Sequence, residues 1–169
     1  SFVNRVYRAT QGIRMPQHSL DASKQVINVL ARLGHALGYV VHTEAPVEQR
    51  SKLPAPAVDV AWFAAEEQRY PLMIFEVESA ATNAMANNPL KVYGQPTEQF
   101  ERPLFFFHVV LRSGDETSRI RTLQTHFGTH NYRVYRLDNG MATQLVKDIL
   151  SQHRRVQGTI NVGEVLAVL

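Results

Sequence analysis

The chain has 169 residues, enough for one domain with a sizeable core, and no apolar run in it approaches the length that crosses a bilayer. Hydrophobic residues make up 44% and charged residues 20%, a balance that argues against disorder. Lysine and arginine number 18 against 15 acids, a formal charge of +3 that neither demands nor excludes nucleic acid, and without cysteine there are no disulfides or thiolate metal sites.

Residues 19–38 read as the first helix, with Val26, Leu30, Leu33 and Leu37 forming one apolar face, Ser19 or Asp21 available as a cap and Gly38 as a stop. A short strand is expected over 39–43, followed by a proline-rich, charged loop over 44–56. Two strands follow, 57–64 and 72–78, joined by a polar, hairpin-like link. The apolar run at the start of the second predicts a central strand covered on both faces. Residues 80–93 read as a helix that Pro89 is expected to break or kink. A buried strand over 103–111, a helix over 117–127, a strand over 132–137 and a helix over 141–153 complete the pattern. The apolar stretch 158–169 has no clear period and stays unassigned. The order α-β-β-β-α-β-α-β-α implies an α/β fold, a mixed central sheet flanked by helices, in one domain spanning residues 1–169. The chain starts with Ser1 and has no signal peptide, so it is expected to be cytoplasmic and to be a processed chain or a piece of a longer one.

The informative segment is Val58-Asp59-Val60 followed by Phe75-Glu76-Val77-Glu78. Alternation along a strand puts Glu76 and Glu78 on one side, and pairing of the two strands would bring Asp59 across from them. Ionised carboxylates among Ile, Phe, Val and Trp are costly in isolation. Gathered around Mg²⁺ or Mn²⁺ they are compensated, and such an ion activates water and offsets charge on phosphate. An edge strand carrying exposed acids, or an Asp serving a turn, explains each acid separately. It does not explain why Glu76 interrupts an otherwise apolar central strand. Glu44, just after the first expected strand, is a candidate to extend the acidic site, while Asp21 reads equally as a first-turn residue complementing the helix dipole.

The segment from Leu33 to Gly94 resembles the restriction-endonuclease-like, or PD-(D/E)xK, nuclease superfamily. The resemblance rests on a helix ending Leu-Gly-His-Ala-Leu-Gly-Tyr, on Glu44 after the next strand, on Val-Asp-Val-Ala-Trp, and on Ile-Phe-Glu-Val-Glu-Ser. It covers about a third of the chain and implies a restriction-endonuclease-like sheet and a metal-dependent phosphodiesterase. Asp59 matches the family's first metal-binding acid and Glu76 its second. The family usually has lysine two residues after the second acid, where this chain has Glu78, and Lys91 in the following helix is the candidate to replace it. The resemblance thus implies metal ligation by Asp59 and Glu76, with Lys91 completing the catalytic set; Glu78 is placed to bind the metal or activate water, and Glu44 is a further candidate metal ligand.

Gln95 and Lys91 are candidates to orient phosphate or water. Arg112, Arg119 and Arg121 belong to an arginine-rich second half that suits a polyanion, DNA before RNA, although each alone reads first as a solvated surface residue. Restriction, defence or repair are the settings implied, with a homodimer or fusion to further domains as possible contexts. The alternative is a catalytically degenerate module of the same fold that binds nucleic acid or a protein partner. His126 and His130 lack the helix and the glutamate of a zinc-protease motif, His108 reads as a hydrogen-bonded core residue, and neither a nucleophile elbow nor a phosphate-cradling glycine loop is present.

Overall fold

A computed structural model describes residues 19–46, 57–68, 71–94, 103–114 and 118–168. The elements are α1 (Ser19–Ala36), β1 (Val40–Pro46), β2 (Ala57–Phe63), β3 (Met73–Glu78), a 3-10 turn (Asn83–Ala86) running into α2 (Asn87–Tyr93), β4 (Phe105–Val110), α3 (Ser118–Phe127), β5 (Tyr132–Arg136), a second 3-10 turn (Leu137–Asn139) and α4 (Ala142–Val168). The strands form one sheet in the order β1-β2-β3-β4-β5. The β1–β2 and β2–β3 pairs are antiparallel, and the β3–β4 and β4–β5 pairs are parallel. Helical crossovers account for the parallel half, since a parallel pair cannot be closed by a tight turn. The fold is therefore α/β, with a mixed sheet flanked by helices, as the pattern of elements predicts.

The sheet is covered on both faces. Ala22, Val26, Leu30 and Leu33 of α1 and Leu145, Ile149 and Val156 of α4 pack against Val60, Trp62, Phe75 and Phe107. On the other face, Met85, Val92 and Tyr93 from the α2 region and Ile120 and Leu123 of α3 pack against Ala61, Ile74, Phe106 and Tyr132. Every residue of β4 is buried, which is why its sequence is a nearly unbroken apolar run. The Phe75 and Phe107 rings stack at 4.7 Å across the β3–β4 pair. Gly34 lets α1 lie close to the sheet, because a Cβ there would come within 2.6 Å of the Trp62 ring and of Val41. Gly38 ends the first helix with a φ of 89°, conformational space that glycine enters freely.

Three sequence expectations shift. Glu44 is not in a loop after the first strand but inside β1, with a φ of 53° that is rare for a residue with a side chain. Pro89 does not break α2, because it occupies the first turn, where a backbone N–H has no helical partner to lose. The last helix continues past residue 153 through the stretch left unassigned, to Val168. No helix among the described residues is long and apolar enough to cross a membrane.

Candidate active site

The β2–β3 ladder stops at the Val60–Phe75 pair. Continuing that register by one step sets Asp59 opposite Glu76, where the two strands begin to part. Beyond the last pair, the Val77 N–H needs an acceptor, and Asp59 Oδ2 takes it at 2.7 Å. The splay is shared by β1. Thr43 and Ala45 pair with Val60 and Val58, so Glu44 lies in register with Asp59. Val41 and Val60 pack toward α1 and α4, whereas Ala45 and Val58 pack toward α2 and α3. Both strands thus change faces at the Glu44–Asp59 step, and the left-handed backbone of Glu44 accompanies the switch. Holding such a residue in a strand costs on the order of 1 kcal/mol, strain of the kind that gathers at functional positions.

Glu76 is the buried member of the acid set, at 4% exposure. Its carboxylate forms an ion pair with Lys91 of α2, whose ammonium also donates to the Ala57 carbonyl at 2.6 Å. Apart from that ion pair, Glu76 Oε1 makes no hydrogen bond among the described residues. Desolvation and the neighbouring Asp59 carboxylate push Glu76 up to about 8, while Lys91 pulls it down. Burial wins because a single ammonium, itself partly wet, does not replace the hydration that a carboxylate loses. Near neutral pH the Asp59–Glu76 pair therefore retains a proton in the absence of further positive charge.

Glu78 lies on the same side of β3 as Glu76, as the strand alternation predicts, but it turns to other partners. Its Oε1 accepts from Asn88 Nδ2 of α2 at 2.5 Å and stands 3.5 Å from His108 Nε2 of β4. The acids expected to converge as a trio thus separate into an Asp59–Glu76 pair and a Glu78 that faces a histidine. Among the described residues no three histidine or acidic side chains group as a metal cage. Two adjacent carboxylates nonetheless fit Mg²⁺ or Mn²⁺, since Mg²⁺ typically keeps several waters and takes one or two carboxylates. The charge deficit at Glu76 is the feature a divalent ion would relieve.

Of the other expected residues, Glu44 is exposed and lies next to Asp59 in register. Arg112 lies just after β4 and Arg121 in α3, and both are exposed. Arg119 belongs to α3, and Gln95 lies outside the described residues. Sequence reading missed Asn88 and the approach of His108 to Glu78, whereas its reading of His108 as a hydrogen-bonded core residue holds, the ring being buried and bonded to Tyr132. Asn88 stands three residues before Lys91, the spacing of one helix face, and His108 is the polar break in a phenylalanine-rich strand. Neither signal names a partner without the β3–β4 register, which sets His108 beside Glu76. No protein-family model matches this chain, and no similar curated protein or solved structure was found.

Proposed function

We propose that this chain is a divalent-metal-dependent nuclease of the restriction-endonuclease-like type, hydrolysing phosphodiester bonds of nucleic acid, with DNA the favoured substrate. The observation that carries the reading is the meeting of Asp59, buried Glu76 and Lys91, from β2, β3 and α2, where the central strands part. Asp59 and Glu76 would hold Mg²⁺ or Mn²⁺, with Glu44 the nearest further acid in register. A bound divalent ion supplies Lewis-acid chemistry at phosphate and makes water a stronger acid. Glu78, in the position where the resembled family usually has lysine, takes the proton from the attacking water. Lys91 provides a positive charge for the phosphate oxygens. Arg112, Arg119 and Arg121 supply backbone contacts, which set affinity and its salt dependence more than sequence choice. A cytoplasmic setting in restriction, defence or repair belongs to the same reading.

One observation favours the degenerate-module alternative. Lys91 already pairs with Glu76 and Asn88 already binds Glu78, so the acids have partners without a metal. One experiment separates the two readings. Plasmid, single-stranded DNA and RNA are incubated with the chain in Mg²⁺, Mn²⁺ or EDTA, alongside identically prepared Glu76→Ala. Metal-dependent cutting lost in the variant supports the nuclease. Cutting retained by Glu76→Ala, or absent from both proteins, refutes it.

A further inference from the structure

On the same face of the sheet as Glu76 lies a buried polar chain that the chemistry above does not use. His108 is fully shielded in β4, between Phe107 and Val109. An imidazole in such a place is costly unless its nitrogens are bonded. Nδ1 meets the Tyr132 hydroxyl of β5 at 2.9 Å. Nε2 makes no hydrogen bond among the described residues, and it stands 3.5 Å from Glu78 Oε1. That oxygen is the one that already accepts from Asn88.

The direction of this chain follows from its chemistry. Burial raises the Tyr132 hydroxyl well above its ordinary range, so it keeps its proton and can donate it to Nδ1. The ring proton then resides on Nε2, aimed at a carboxylate. The opposite tautomer would turn a lone pair toward Glu78, a repulsive arrangement in a dry site. At 3.5 Å the Nε2–Glu78 contact is longer than a hydrogen bond, and closing it takes a few tenths of an ångström at a partly exposed side chain. Contacts of this kind commonly tighten when substrate arrives.

We infer that His108, itself oriented by Tyr132, is a positioning residue for Glu78: Nε2–H and Asn88 grip Oε1 from two sides and present Oε2 to the attacking water. The inference rests on the nuclease reading, in which Glu78 accepts a proton from that water while its oxygen bonds to phosphorus. The P–O bond to the leaving ester oxygen breaks, that oxygen keeping the electron pair and taking a proton from solvent. A histidine kept only for packing would be replaceable by an apolar side chain without loss of turnover.

The test compares kcat and KM for metal-dependent cleavage in the full chain and in His108→Leu, His108→Gln, Tyr132→Phe, Glu78→Gln and the His108→Leu/Glu78→Gln double variant. Ring ¹⁵N spectra of His108 report the tautomer. Loss of a residue that orients another typically costs about 10–100-fold. His108→Leu is expected to lose that much in kcat at unchanged KM. His108→Gln, which carries a donor at the reach of Nε2, recovers most of it, and the double variant is no worse than Glu78→Gln. Tyr132→Phe removes only a hydroxyl and serves if the leucine variant fails to fold; its kcat falls in the same sense. Equal kcat in the leucine variant and the parent, additive losses in the double variant, or a proton found on Nδ1 in a chain that does cut would each overturn the positioning role alone. A chain that cuts no substrate overturns the nuclease reading and this role with it.

Discussion

Replacing Glu76 by glutamine should change how stability depends on pH, and the direction follows from burial. In the unfolded chain this carboxyl titrates near its ordinary value of 4.5, whereas burial and Asp59 raise it in the fold to about 8. Between those values the folded state holds a proton that the unfolded state has released. Stability from this group is therefore fully present below pH 4.5 and is lost as pH rises through 8. At about 1.4 kcal/mol per pH unit, the whole window corresponds to roughly 5 kcal/mol, a large share of the 5–15 kcal/mol that usually separates folded from unfolded states. With the side chain only 5% exposed, water does little to screen the effect. Glutamine keeps the shape, offers an N–H to Asp59 and cannot ionise. Urea unfolding in EDTA from pH 5 to pH 9 measures the difference. The parent protein should lose stability relative to Glu76→Gln as pH rises, with the variant the more stable at pH 9. Parallel curves for the two proteins would refute the reasoning, because they would mean that Glu76 is ionised across the range and that Lys91 outweighs burial. In saturating Mg²⁺ the parent's slope should flatten, since an added dication favours the ionised pair.

Other perturbations test neighbouring parts of the argument. Lys91→Met removes the cation that competes for Glu76, so Mn²⁺ should raise the melting temperature of this variant more than that of the parent; equal shifts would mean that lysine and metal do not share the carboxylate. Asp59→Ala should abolish metal-dependent cutting and, by stranding the Val77 N–H, cost about 1–3 kcal/mol in chemical denaturation. Wild-type activity in Asp59→Ala would dismiss the site. Gly34→Ala gains helix propensity of at most about 1 kcal/mol but drives a methyl into Trp62, so a net loss of about 1–2 kcal/mol is expected, and a higher melting temperature would show that α1 can move away from the sheet.

Periodicity in the sequence was enough to read the element order, the antiparallel first half and the strand–helix alternation of the second. Those features are written locally: the apolar spacing of Val26, Leu30 and Leu33, and the runs Met73–Phe75 and Phe105–Phe107, each commit a segment without reference to the rest. Pro89 misled because its effect depends on where the helix begins, and the turn Asn83–Ala86 moves that start to Asn87. Glu44 misled because a polar residue beside prolines reads as loop, while pairing with β2 carries β1 through it.

At the site the division is sharper. Sequence alone singled out Asp59, Glu76 and Glu78, since acids interrupting apolar strands demand compensation wherever they fall, and the resemblance to the nuclease superfamily added Lys91 as a candidate. How that compensation is shared out was decided only by tertiary structure. Register sets Asp59 against Glu76, α2 brings Lys91 to one acid and Asn88 to the other, and β4 places His108 before Glu78. Side-chain alternation says which residues share a face. It is blind to which strand stands next door, and that neighbour determines the charge, the proton and the partner that each carboxylate meets.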